Sequence, residues 1–322
     1  SSRKMMMTMM RFMSAASFLH PRIAALSTTV SATVGVRRQV KMMSNSAAGV
    51  NHECSDGARP VDDGTIEVAV VPCLSDNYGF LLNHKATGQT AAVDTPDSFA
   101  LESALEARGW GGLDAIFNTH HHSDHTGGNK ALKKAYPQCK VIGPEGERHR
   151  IPGGLDVGVA SEDSFQWGGQ TVKVIDVGGH TKGHVAFHFP ESGSVFVGDS
   201  LFALGCGRLF EGTPKQAWGS LERLMALPDD TKVYCAHEYT AANARFSETI
   251  EGAERNPELA SRLKDVASLV AANTPTVPTT IGLERATNPF VRPKQVRQAL
   301  GLSLSMPDHE VFAEVRKRKD NF

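Results

Sequence analysis

Residues 119–128 read Thr-His-His-His-Ser-Asp-His-Thr-Gly-Gly and place four metal-binding side chains, His120, His122, Asp124 and His125, in an H-x-H-x-D-H spacing. Imidazole and carboxylate together suit a borderline divalent cation such as zinc, iron or manganese. The short apolar run at 114–118 predicts a strand ahead of this stretch, and residues 129–135 predict a helix behind it. A single tight turn cannot aim all four groups at one ion without strain, so the spacing implies two neighbouring ions.

Outside the turn, chemistry-bearing residues recur after strand-like runs. His180 follows Val177-Gly178-Gly179, Asp199 follows Val195-Phe196-Val197-Gly198, and His237 follows Val233-Tyr234-Cys235-Ala236. Side chains just past the ends of neighbouring strands converge on one edge of a sheet, which is how distant sequence positions build one site. The five cysteines, Cys54, Cys73, Cys139, Cys206 and Cys235, form no C-x-x-C pair and are odd in number. This argues against a disulfide framework and for a reducing compartment.

The elements that must hold these residues follow from hydrophobic periodicity. Strands are expected at 66–73, 78–82, 90–93, 140–142, 171–177, 185–189, 194–197 and 232–235. Helices are expected at 98–108 and 215–227, and Ser75-Asp76-Asn77 has hairpin-turn chemistry. After His237 the strand signal ends, and 241–250, 257–272 and 295–300 read as helices. Two sets of strands with helices outside predict an αββα sandwich of the α/β class. The expected division is a leader and linker over 1–60, an α/β domain over 61–240 and a smaller helical domain over 241–322, which the resemblance given below implies are the catalytic and substrate-binding domains.

The chain of 322 residues has a formal net charge of -1, which hides an asymmetry. Residues 1–50 hold no Asp or Glu and seven of the 34 Lys and Arg, leaving 27 basic against 35 acidic side chains, a net of -8, in the remainder. An acidic body has no general attraction for nucleic acid. The acid-free, Ser-, Ala- and Met-rich leader has the composition of an organelle transit peptide, with no apolar stretch long enough to span a bilayer. Mitochondrial import is the expectation. A plastid destination or a cytosolic form starting near Met42 are the alternatives.

Several further stretches carry a resemblance. They are Ser75-Asp76-Asn77-Tyr78, the H-x-H-x-D-H turn, His180-Thr181-x-Gly183-His184, Gly198-Asp199-Ser200-Leu201-Phe202 and Gly205-Cys206-Gly207-Arg208. Tyr234-Cys235-Ala236-His237-Glu238-Tyr239-Thr240, Pro275-Thr276-Val277-Pro278, Asn288-Pro289-Phe290 and Arg316-x-x-Lys319-Asp320-x-Phe322 continue the series to the end. In these the chain resembles glyoxalase II, the hydroxyacylglutathione hydrolase family of the metallo-β-lactamase superfamily.

That resemblance implies that His120, His122 and His180 hold one ion, Asp124, His125 and His237 the other, with Asp199 bridging. Zinc is the first expectation for both ions, with iron and manganese as alternatives. Asp76 is expected to orient a ligand histidine, and His121 and His184 to point away or support the ligands. The implied reaction hydrolyses S-D-lactoylglutathione to D-lactate and glutathione in methylglyoxal detoxification, by a hydroxide trapped between two cations about 3.5–4 Å apart. Asp124 and Asp199 then act directly at the reaction centre, and no Ser or Cys nucleophile is required. Arg208, Phe210, Tyr239, Arg316 and Lys319 match the family's glutathione-contacting positions. Phe210 stands where some relatives have Tyr, which removes one hydroxyl. A glutathione thioester is the expected partner, with no nucleic acid, no membrane and a monomeric chain. An iron persulfide dioxygenase of the same fold is the nearest rival; it would not need Asp124, His125 and His237 as a second set.

Overall fold

A computed structural model describes residues 61–62 and 65–322. The predicted leader falls outside these residues. The first sheet has seven strands in sequence order: β1 (Val61–Asp62), β2 (Ile66–Cys73), β3 (Asn77–His84), β4 (Thr90–Val93), β5 (Ala115–Phe117), β6 (Lys140–Pro144) and β7 (Val157–Val159). Interleaved with them are helices α1 (Ser98–Ala107), α2 (Ser123–Thr126) and α3 (Asn129–Ala135). The second sheet contains β8 (Ser164–Trp167), β9 (Gln170–Asp176), β10 (Val185–Phe189) and β11 (Ser194–Gly198). A small hairpin of β12 (Leu201–Phe202) and β13 (Gly205–Cys206) follows.

Helix α4 (Pro214–Met225) then crosses back so that β14 (Lys232–Cys235) lies parallel to β11. Helices α5 (Thr240–Ile250) and α6 (Pro257–Ala271) precede β15 (Thr279–Thr280), which adds antiparallel to β14 as the edge of the second sheet. Helices α7 (Ile281–Thr287), α8 (Pro293–Leu300) and α9 (Asp308–Asp320) complete the chain.

Strand periodicity explains why the first sheet is buried on both faces. In β2 and β3, Val68, Val70, Phe80 and Leu82 point into the space between the sheets, while Ala69, Val71 and Leu81 point to the opposite face. There they meet Leu101 and Leu105 of α1 and Leu132 of α3. The inter-sheet core is aromatic: Phe117 lies 5.4 Å from Phe187, and Phe196 stacks on Tyr234 at 4.7 Å. Each such side chain contributes about 1.5–3 kcal/mol on burial.

The predicted strands and the helices of the first 240 residues are present, most within two residues of the expected bounds. Five short strands, β1, β7, β8, β12 and β13, lie outside the expected runs. β15 is a further exception to the expectation that strands end at His237. It pairs Lys232 with Thr280 and Val233 with Thr279, so the later helical region completes the second sheet. The cores agree with that continuity, because Phe290, Val311 and Phe312 belong to the same buried cluster as Phe187 and Phe196.

Candidate metal centre

The site lies where strand ends of both sheets meet. Asp94 follows β4, the His120–His125 turn follows β5, and His180 sits between β9 and β10. Asp199 follows β11 and His237 follows β14. The two sheets are joined at this edge by backbone bonds from Tyr78 N to Ala236 O (2.7 Å) and from Glu238 N to Asp76 O (2.9 Å). All seven residues expected from the sequence come together here. His122 Nδ1 lies 3.1 Å from His120 Nε2 and 3.0 Å from His180 Nε2. Asp124 Oδ2 lies 3.6 Å from His237 Nε2 and 3.9 Å from His125 Nε2. Between the two sets, Asp199 Oδ1 is 3.3 Å from both His125 Nε2 and His237 Nε2, and its Oδ2 is 3.3 Å from His180 Nε2.

For four of the five histidines the far side of the ring fixes which nitrogen faces inward. His125 Nδ1 donates to Asp94 Oδ2 at 2.8 Å, His237 Nδ1 to Asp76 Oδ1 at 2.8 Å, and His180 Nδ1 to Arg208 O at 2.9 Å. Thr119 Oγ1 donates to Asp94 Oδ2, so it is left to accept from His120 Nδ1 at 3.1 Å. In the neutral form the rings of His120, His125, His180 and His237 therefore turn Nε2 lone pairs inward, and His122 brings its Nδ1 beside those of His120 and His180, an arrangement suited to cations. His125 Nε2 and Asp199 Oδ1 are buried without a hydrogen-bond partner among the described residues. Such orphaned atoms are costly to bury and call for an ion. These residues fit two divalent cations.

The electrostatics divide in the same way. Burial, reinforced by neighbouring histidines, holds His120 well below the usual imidazole range, and it lowers His122 as well. Burial lowers His180 even against the pull of Asp199. These rings are neutral, the form that binds metal. Burial opposes charge on Asp199, yet His125 and then His237 hold its carboxyl well below the ordinary range. For His125 and His237 burial is outweighed mainly by Asp199, and both are raised. The second set thus demands positive charge between Asp199 and its two imidazoles.

Outside the seven, Asp94 and Glu147, which carry no sequence signal, hold the arrangement together with Asn77 of the Ser75-Asp76-Asn77 turn and His184. Asp94, itself in the left-handed region at φ 54, binds Thr119 N (2.8 Å) as well as His125. Glu147 is buried and accepts from His121 N and Nδ1 through Oε2, and from Thr181 Oγ1 and Gly183 N through Oε1. It thereby ties the His120 turn to the His180 loop. Asn77 Nδ2 contacts Asp124 Oδ2 at 3.2 Å. His184 Nε2 accepts the Asp199 N–H at 3.0 Å, and its ring stacks on His120. His121 and His184 are thus supports rather than ligands. Lone acids such as Asp94 and Glu147 give no spacing signal, whereas Asp76, His121 and His184 lie in recognised motifs and are expected as supports. Close approach also explains Gly207, where a Cβ would lie 1.9 Å from Asp199 O.

Beside the centre runs a groove of about 470 Å³ lined by Arg208, Leu209, Phe210, Arg316 and Asp320 among others. Phe210 is exposed and packs its ring 5.1 Å from His180 and 5.9 Å from His122. Tyr239 stacks on His237 at 4.7 Å. Lys319 bonds Ala242 O at 3.2 Å and lies 5.0 Å from the Phe246 ring and 5.1 Å from that of Phe322. Arg316 differs from a simple substrate contact. It is buried, donating to Cys206 O (2.9 Å) and pairing with Asp320 (2.8 Å), because its helix α9 packs onto the β13 end of the hairpin. It shapes the groove wall, while Arg208 keeps an exposed guanidinium.

Residues 91–237 match the profile of the metallo-beta-lactamase superfamily, and residues 238–322 match that of the hydroxyacylglutathione hydrolase C-terminus. A hydroxyacylglutathione hydrolase from Methylococcus capsulatus is 51% identical over 259 residues, covering 80% of this chain and 99% of the relative. One from Maricaulis maris is 50% identical over 253 residues, covering 78% and 96%. Among solved structures, ETHE1 from Myxococcus xanthus aligns at TM-score 0.52 with 25% identity, over 76% of this chain and 92% of its own. The BLEG-1 B3 metallo-beta-lactamase aligns at 0.54 with 22% identity, over 70% and 99%, and supports the fold alone.

Proposed function

The chain belongs to the hydroxyacylglutathione hydrolases, the glyoxalase II family of the metallo-β-lactamase superfamily, and we propose that its seven-residue centre hydrolyses S-D-lactoylglutathione with two divalent ions. The products are D-lactate and glutathione, which places the reaction in the glyoxalase pathway. The observation that carries this reading is Asp199, whose two oxygens face separate sets of imidazoles at 3.3 Å each. The nitrogen and oxygen donor set suits zinc first, with iron and manganese as alternatives.

Two such ions supply Lewis acidity and lower the pKa of bound water from about 15.7 toward about 7. In the net reaction water oxygen joins the acyl carbon and the C–S bond breaks, with sulfur leaving as a thiolate. A thiol of pKa near ~8.5 departs with little help from an acid, so the site needs no dedicated proton donor. Nor does it use a cysteine nucleophile. Burial pushes the Cys206 thiol to about 11 and Cys235 to about 12. Burial, then Asp76, Asp199 and Asp124, raise the Tyr239 phenol to about 12, so it stays protonated and donates a hydrogen bond. Asp199 holds the two halves of the centre together, and Asp124, fixed by Asn77, closes the second set. Arg208 and Lys319 provide cations for the carboxylates of glutathione on an otherwise acidic body.

The deciding assay compares hydrolysis of S-D-lactoylglutathione with acetyl-thioester and lactone controls, with metal content measured on the same sample. Thioester turnover lost to a chelator and restored by zinc is the expected result; faster turnover of the lactone would overturn the assignment. Import into mitochondria is proposed from the acid-free leader. A fluorescent fusion of residues 1–60 that stays in the cytosol would contradict it.

Two smaller effects are expected at Lys319 and Phe210. Burial, then Arg316, Arg245 and Arg208, lower the Lys319 ammonium to about 8. It is charged below that value and neutral above it, so KM for the thioester should climb between about pH 7 and about pH 9. Lys319→Arg, which stays charged, should flatten that rise in steady-state kinetics. Phe210→Tyr should lower KM by a factor of about 2 to 10 with kcat little changed, the worth of one neutral hydrogen bond.

A further inference from the structure

The β12–β13 hairpin is held almost wholly by side chains from the region after His237. Five consecutive carbonyl oxygens are bonded in this way. Asn288 Nδ2 reaches Phe202 O at 3.3 Å and Gly205 O at 3.0 Å, and Asn243 Nδ2 reaches Ala203 O at 3.1 Å. Ser247 Oγ reaches Leu204 O at 3.3 Å, and Arg316 Nη1 reaches Cys206 O at 2.9 Å. The Leu204 N–H donates outward too, to Glu284 Oε2 at 2.9 Å.

The hairpin needs this support. It has two residues per strand, far below what is stable alone. Its turn residue Leu204 sits at φ 59, a left-handed conformation that leucine avoids without outside constraint.

What the hairpin positions is the metal centre. It begins two residues after Asp199 and ends two residues before Arg208, whose carbonyl orients His180 at 2.9 Å. Gly207 packs directly against the Asp199 carbonyl. A shift of the hairpin therefore moves the bridging carboxylate and one imidazole of the first set together. Asn288 is fully buried and is the residue that bonds both strands of the hairpin. Phe290 N donates to its Oδ1 at 3.0 Å and so fixes which end of the amide faces the hairpin. It opens the Asn288-Pro289-Phe290 motif, which makes no hydrogen bond to the proposed ligands among the described residues and whose Phe290 ring lies 5.2 Å from the Arg316 guanidinium of the groove wall.

The geometry points to Asn288 as a positioning residue for the dinuclear centre, acting through the hairpin on Asp199 and His180. The inference rests on the reading of that centre as a two-metal site. The test measures zinc affinity by competition with a chromophoric chelator, and melting temperature with and without zinc, for wild type, Asn288→Ala and Arg292→Gln. Arg292 pairs with Glu251 in the same region without touching the hairpin. Asn288→Ala should weaken at least one ion about 10-fold or more, as loss of a supporting partner does, and shrink the zinc-induced rise in melting temperature. Arg292→Gln should lower both melting temperatures equally and leave affinity alone.

Wild-type zinc affinity in Asn288→Ala, with equal losses in both forms, overturns the inference. If that variant does not fold, Asn243→Ala breaks one hairpin bond and should loosen zinc measurably; unchanged affinity there is equally fatal. Failure of the wild type to take up zinc would instead bring down the reading of the centre, and this inference with it.

Discussion

Asp199→Asn should lose one of two bound ions and more than about 100-fold in kcat, beyond what removing an outer partner costs. The asparagine keeps the shape but has no charge and can offer only one oxygen acceptor. In the native site both carboxylate oxygens are committed, Oδ1 toward His125 and His237 and Oδ2 toward His180. Its backbone N–H would still bond His184 Nε2, so the side chain would stay in place. Circular dichroism should be unchanged, and metal analysis should fall from two equivalents toward one. Retention of two ions with normal turnover would mean that this carboxylate does not bridge.

The largest stability effect should come from a different buried charge. Arg262 and Glu284 form an ion pair with almost no exposure, and Arg262 also donates to Thr279 (2.9 Å) and Thr287 (2.5 Å). Arg262→Met leaves the Glu284 carboxylate buried without its countercharge, which costs about 3–5 kcal/mol. For a body of this size that corresponds to a fall of roughly 6–20 °C in melting temperature. Glu284 also accepts from Leu204 N and Asn288 Nδ2, so the loss should be felt at the hairpin as well as between α6 and α7. Thermal unfolding of the zinc-loaded protein checks it; a drop of only a degree or two would show that the pair is replaceable.

The seven residues of the candidate centre are legible for a physical reason. His120, His122, Asp124 and His125 share one turn, so spacing alone betrays them. His180, Asp199 and His237 each stand just beyond a strand of β-branched residues, where side chains converge. The supports were not legible. Asp94 and Glu147 are single acids in unremarkable stretches, and their value depends on burial and on which backbone amides they meet. Arg316 shows the same limit from the other side: its residue type suits a carboxylate ligand, but its depth is set by the packing of α9. β7 and β8 are not legible because they have three and four residues and are partly exposed, so the alternation in Ser164-Phe165-Gln166-Trp167 is too short to stand out. β15 has two residues and exists only because β14 offers an edge. Its strand character is tertiary and could not be read locally.

The central claim is that seven side chains enclose two cations joined by Asp199. Crystals of the zinc-loaded protein, with anomalous diffraction recorded on both sides of the zinc edge, test it most directly. Two peaks about 3.5–4 Å apart are expected, one among His120, His122 and His180, the other among Asp124, His125 and His237, with one Asp199 oxygen on each. A single peak, or two with Asp199 turned away from either, would contradict the account.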